Sequence, residues 1–144
     1  MKTLIQKDMA ENNYTTEKYP LTDLTGKIIK CAHNVHKQIG NGFHEIIYKR
    51  PLAVEFFFQD VPFEKEFEIL HNKEGQVGKR QVDFFVDGIV MVELKSTIQL
   101  EDEHVNQTTN YLEANNLEVG LLINFGNKSL DFKQIINKKY QSPS

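Results

Sequence analysis

From Pro20 onward the apolar residues Leu24, Ile28, Ala32, Val35 and Ile39 fall at helical spacing, which predicts an amphipathic helix. Thr22 or Asp23 is placed to cap its start, and Gly40-Asn41-Gly42 to end it. A second helix is predicted from about His44 to Phe58, with Ile47, Val54 and Phe58 among its inward residues. Pro51 falls inside it, removes one backbone donor, and predicts a kink or a restart. The period then changes. Val61 to Leu70, Lys79 to Val86 and Ile89 to Ser96 read as strands, separated by a polar turn around Asn72 to Gly78 and by Asp87-Gly88. A helix follows from about Glu101 to Asn115, its first turn loaded with Glu101, Asp102 and Glu103 at the positive end of the helix dipole. Val119 to Asn124 is a short buried strand, and Ser129 to Ile136 stays open between a strand and a short helix.

The resulting order, α-α-β-β-β-α-β, defines an α/β (α+β) class with a mixed four-stranded sheet flanked by helices. The crossover helix makes the last main strand parallel to its predecessor. Residues 1–19 carry little periodicity and are expected to form an arm, residues 20–140 a single domain, and residues 141–144 a tail.

Alternation on the central hairpin gives the facing of its side chains. Val82 and Phe84 on one strand, and Val90, Val92 and Leu94 on the other, predict a continuous apolar face packed on helices. Asp83, Glu93 and Lys95 then share the opposite face. A two-residue Asp-Gly loop would break that parity, so a three-residue loop, Val86-Asp87-Gly88, with glycine left-handed, is expected. Asp83 then pairs with Met91 and sits diagonally from Glu93, roughly 7–8 Å away at the backbone, so that both carboxylates can reach one ion.

Composition narrows the setting without choosing a function. The 144 residues suit one domain, and 40% hydrophobic with 26% charged content is ordinary for a globular chain. A single cysteine, Cys31, excludes an internal disulfide and points to a reducing, cytoplasmic location. No apolar run approaches the roughly 20 residues of a membrane helix, and the opening MKTLIQKDMAENN is too polar for a secretory signal. With a formal net charge of -3 there is no overall basic field for nucleic acid, so binding requires a local positive stripe.

Two acids and a lysine inside such apolar strands need a reason, because an unpaired charge near a core is costly. They are also a minimal kit for holding a divalent cation and polarising a phosphodiester. Asp83 with Glu93-Leu94-Lys95 resembles the PD-(D/E)xK nuclease signature. More narrowly, the chain is similar to the GxxExxY family of that superfamily, whose naming motif stands here as Gly42-Phe43-His44-Glu45-Ile46-Ile47-Tyr48. The likeness continues through Val82-Asp83-Phe84-Phe85-Val86, Met91 to Lys95, Asn110-Tyr111-Leu112-Glu113-Ala114 and Gly120 to Gly126, covering about Leu21 to Asn137.

The resemblance implies a restriction-endonuclease-like core acting on DNA or RNA, with Mg2+ or Mn2+ held by Asp83, Glu93 and the Leu94 carbonyl. It implies that Glu45 acts as a further acid, on the metal directly or through water, and that Lys95 positions the attacking water or steadies the transition state. Gln107 and Tyr111 match the family's helical QxxxY pair and are expected to contact phosphate or base. An arginine often stands two residues before the aspartate in the family. Here that position is Gln81, with Arg80 before it; Arg80 is carried with Gln107 and Tyr111 as a candidate substrate contact, although simple alternation sends it to the other face.

Plainer readings compete at each position. Glu93 and Lys95 are ordinary on a solvated strand face, and Glu45 suits a helix start. Tyr48 is expected to pack and hydrogen-bond rather than react. The five histidines lack HxxxH or HExxH spacing, which leaves His44 and His104 at most minor roles near the site. Cys31 is expected in the core. The rival functional class is a catalytically silent nucleic-acid-binding or protein-interaction module that keeps the nuclease fold. A homodimer or a protein partner fits either reading.

Overall fold

The computed structural model describes residues 21–73 and 75–143; the arm expected over 1–19 lies outside the described residues. Helix α1 spans Thr22–Ile39 and α2 spans Glu45–Phe58. Strands β1 (Phe63–Lys73), β2 (Gln76–Val86) and β3 (Val90–Lys95) form a meander. Helix α3 (Asp102–Ala114) crosses over to β4 (Val119–Asn124), and β5 (Asp131–Ile136) follows. The sheet has five strands in the order β1-β2-β3-β4-β5. Only the β3–β4 pair is parallel, as the crossover helix requires. The fifth strand corrects the expectation of four: residues 129–136 left strand and helix open, and pairing with β4 resolves them as an edge strand.

Helices cover both faces of the sheet. Ile28, Ala32 and Val35 of α1 and Tyr48, Leu52 and Phe56 of α2 pack on Phe84, Val90, Val92, Leu94 and Leu121. On the other face, Leu112 and Tyr111 of α3 meet Val82, Met91, Leu122 and Ile135. Strands β3 and β4, covered on both sides, are buried almost throughout, which explains their unbroken apolar runs. Cys31 lies in the first core.

Three local expectations are corrected. The residue capping α1 is Leu21, in a left-handed conformation (φ 63°) with no side-chain cap, rather than Thr22 or Asp23. Helix α2 runs through Pro51 as a single element. Its inward residues are Tyr48, Leu52, Ala53 and Phe56, whereas Ile47, Val54 and Phe58 are exposed. Apolar residues surround this helix, so hydrophobic spacing alone could not choose its buried side.

Candidate active site

Strands β2 and β3 begin as a regular antiparallel ladder at their hairpin and then part. Val86 pairs with Val90, Phe85 with Met91 and Phe84 with Val92. The loop is therefore Asp87-Gly88-Ile89, one residue later than expected, with Asp87 at φ 54° and Gly88 at φ 66°. This preserves the predicted parity but shifts the register by two, so the next rung sets Asp83 against Glu93 and not against Met91. At that rung side chains replace the ladder. The Leu94 amide donates to Asp83 Oδ2 at 2.7 Å, and the Asp83 amide donates to Glu93 Oε1 at 3.2 Å. The two acids thus satisfy the backbone amides that their own divergence leaves unpaired.

Strand β1 carries a distortion at the matching place. Its register with β2 is regular on either side of Glu66, but no Glu66–Asp83 pair forms, and Glu66 is left-handed at φ 53°. Across this point the facing of β2 reverses: Phe84 belongs to the core under α1 and α2, and Val82 to the core under α3. The continuous apolar face expected from Val82 and Phe84 is corrected accordingly. The same reversal brings Arg80 toward the acids instead of away from them. Its Nη2 donates to Glu93 Oε2 at 3.1 Å, and its guanidinium lies 5.1 Å from the Tyr111 ring centroid.

Helix α2 supplies the opposite wall. Gly42, at φ 87°, lets the chain reverse between α1 and α2, and its amide donates to the Phe125 carbonyl at the end of β4. Tyr48 fixes this turn. Its hydroxyl donates to the Gly40 carbonyl at 2.8 Å and accepts from the Phe43 amide at 3.2 Å, while its ring stacks on Phe125. The structural role expected of Tyr48 is what these contacts describe. Anchored in this way, the first turns of α2 carry His44, Glu45 and Lys49 into a cleft of about 210 Å3 shared with Arg80, Asp83, Glu93, Leu94 and Lys95. His104, by contrast, accepts from the Glu101 amide at the start of α3.

Sequence reasoning missed Lys49. Its Nζ lies 2.8 Å from Asp83 Oδ1 and 3.0 Å from Glu66 Oε1. The available signal was its position four residues after Glu45, one turn along the same helix face.

Electrostatics sharpen the picture. Glu93 is only 4% exposed, and burial first, with the Asp83 carboxylate second, pushes its pKa from 4.5 up to about 7 against the opposing pull of Arg80 and Lys95. Burial pulls the Lys49 ammonium down, yet the bonded Asp83 and Glu66 carboxylates outweigh it and the net direction is upward. Arg80 behaves in the same way, its burial outweighed chiefly by Glu93.

Beyond Arg80 a second groove of about 800 Å3 runs between the β1–β2 ribbon and α3, lined by His71, Lys79, Arg80, Asn106, Gln107 and Tyr111 among others. Tyr111 reaches the acids through Arg80, whereas Gln107 lines this groove away from them. Arg80 is common to both spaces.

The donor set suits a hard cation. Two carboxylates and several retained waters are a normal coordination for magnesium, and Asp83 and Glu93 provide the carboxylates. Among the described residues no group of three His, Cys, Asp or Glu side chains is gathered to hold a metal, so Glu45 shares the cleft without joining such a cluster.

A mixed sheet whose second and third strands part around two acids, with helices on both faces, is an α+β fold of the restriction-endonuclease-like kind. The profile of the PD-(D/E)XK nuclease superfamily matches residues 22–136, and the chain belongs to that superfamily. Among solved structures it is similar to SSO0001, with a TM-score of 0.51 and 22% identity over 63% of this chain and 48% of that one. The likeness extends to the fold, and the match spans about half the length of that relative. No curated protein matches.

Proposed function

We propose that this protein is a metal-dependent nuclease that hydrolyses phosphodiester bonds of DNA or RNA, and that within its superfamily it belongs to the GxxExxY family. The observation that carries the reading is the interlocked pair Asp83 and Glu93 at the parting of β2 and β3, with Lys95 lining the same cleft. Asp83 and Glu93 would hold Mg2+ or Mn2+, with the Leu94 carbonyl beside them and Glu45 reaching the ion directly or through water. Bound there, the ion supplies a water of lowered pKa and offsets charge on the phosphate. Lys95, which lines the same cleft, would orient that water or steady the transition state.

Arg80, Gln107 and Tyr111 are the substrate contacts in this reading. Arg80 lines both the acid cleft and the groove beyond it, which supports contact of its guanidinium with an anionic acceptor such as phosphate. The domain occupies residues 20–140 and works in the cytoplasm. No helix of the described residues is long and apolar enough to cross a membrane. Ile46, Ile47, Val54, Phe57 and Phe58, which α2 leaves exposed, support a homodimer or a protein partner.

One observation favours a second reading, that of a catalytically silent module. All four carboxylate oxygens of Asp83 and Glu93 are already engaged by protein donors. Purified protein and a Lys95→Ala variant, incubated with single- and double-stranded DNA and RNA in magnesium, manganese or chelator, separate the two. Metal-dependent cleavage lost in the variant is expected. Equal, chelator-insensitive cleavage by both proteins refutes the mechanism, and salt-sensitive binding without cleavage selects the module.

A further inference from the structure

The engagement of those four oxygens has a geometry of its own. Two of the donors are backbone amides that rigid strands hold in place, from Leu94 and Asp83. The other two are cations on long side chains: Arg80 on Glu93, and Lys49 on Asp83. Arg80 is braced against Tyr111. Lys49 is the one with an alternative, because its ammonium already bridges Asp83 Oδ1 at 2.8 Å and Glu66 Oε1 at 3.0 Å.

Glu66 is an unusual partner. It is left-handed in the middle of a strand, a conformation that is strained for a residue bearing a side chain. It sits opposite Asp83 at the one rung missing from an otherwise regular register. Its side chain is about half exposed, whereas that of Asp83 is 13% exposed. A short shift of a flexible ammonium, without movement of backbone, would transfer Lys49 wholly from the buried acid to the exposed one.

We propose that Lys49 is a tethered cation that occupies the Asp83 half of the metal site and yields it to a divalent ion by moving onto Glu66. This rests on the nuclease reading for the identity of the site, and it assigns Lys49 and Glu66 a positioning role that the Asp83, Glu93 and Lys95 signature does not include. In the metal-free protein Lys49 offsets the charge of a poorly hydrated carboxylate, which stabilises the parted strands. It also competes with the metal, so affinity is set by the difference between two occupants and not by the acids alone. Glu66 makes the exchange less costly by stabilising the displaced ammonium.

Manganese affinity, measured by titration calorimetry on the full chain without substrate, tests this through a double-mutant cycle. Lys49→Met keeps the aliphatic stem and removes the charge; it is expected to tighten manganese binding roughly tenfold. Glu66→Gln is expected to weaken binding several-fold when Lys49 is present, because the ammonium is then confined to Asp83. In the Lys49→Met background the same substitution should change affinity by less than about twofold. Lys49→Arg should restore competition, and Lys139→Met, which removes an exposed surface cation elsewhere, should leave affinity unchanged. Thermal melts confirm that each variant folds.

Unchanged affinity in Lys49→Met, or an equal effect of Glu66→Gln in both backgrounds, overturns the proposal. So does absence of manganese binding in every protein. The nuclease reading is judged separately by cleavage. A wild type that cleaves with metal while Lys49→Met binds no more tightly refutes the role of Lys49 alone. Tighter binding in Lys49→Met without any cleavage refutes catalysis alone.

Discussion

Glu93→Gln should change how stability depends on pH in a direction that the burial of Glu93 dictates. In the folded protein the Glu93 pKa is pushed up from 4.5 to about 7, mainly by burial. Between those values the unfolded chain has released the proton while the folded chain still holds it, so the native state binds more protons and loses stability as pH rises. The contribution is fully present below about pH 4.5 and gone above about pH 7. A rise from 4.5 to about 7 corresponds, at about 1.36 kcal/mol per decade, to roughly 3 kcal/mol. Glutamine cannot ionise, so the variant lacks this slope while keeping an acceptor for the Asp83 amide. The assay is urea unfolding of both proteins in chelator at intervals from pH 4.5 to 8. The wild type should lose about 3 kcal/mol relative to the variant across that range, most of it between pH 5 and 7. Saturating magnesium should shrink the loss, because a bound cation favours the ionised carboxylate. Parallel profiles, or a wild type that gains on the variant as pH rises, would refute the reasoning.

Two further outcomes test how the fold places the site. Tyr48→Phe removes a buried hydroxyl that donates to Gly40 and accepts from Phe43; unfolding in urea should show a loss of about 1–2 kcal/mol, and an unchanged midpoint would contradict the anchoring role. Gly126→Ala would drive a Cβ into the Thr97 backbone carbonyl, so thermal denaturation should show a loss of about 1–3 kcal/mol, and a neutral substitution would mean that this close approach is not maintained.

The parts of the site that were legible in the sequence are those that parity and spacing control. Asp83 and Glu93 were brought together by strand alternation, because a period of two leaves only even shifts of register open. Parity could not choose between Met91 and Glu93 as the partner of Asp83. That depended on whether Asp87-Gly88 began or ended the loop, and both residues turned out left-handed. Arg80 was sent to the wrong face because counting by twos assumes an extended chain throughout. The reversal near Asp83 accompanies a left-handed Glu66 on the neighbouring strand, and glutamate carries no signal for that conformation. Lys49 and the buried side of α2 were missed for one reason. With Ile46, Ile47, Val54, Phe57 and Phe58 in solvent beside buried Tyr48, Leu52 and Phe56, apolar residues crowd the helix all round, and the Glu45–Lys49 spacing was the one mark of where its lysine points.

The broken rung between β2 and β3 ties the fold to its chemistry. A ladder that stops inside a sheet exposes amides which must find acceptors, and an apolar side chain at position 83 or 93 could not provide one. Asp83 and Glu93 do so with one oxygen each, which leaves the other oxygen of each acid for a cation. The same carboxylates therefore hold the strands apart and present the charge that a metal needs. It follows that alanine at either position confounds two effects, loss of an amide partner and loss of a metal ligand. Asn at 83 and Gln at 93 separate them, because an amide oxygen still accepts from Leu94 or Asp83 while the negative charge is gone. Folded, metal-blind Asp83→Asn and Glu93→Gln proteins beside a destabilised Asp83→Ala protein would establish that structure and chemistry share these two side chains; equal stability of the alanine and asparagine variants would show that the amides at the parting are satisfied by something else.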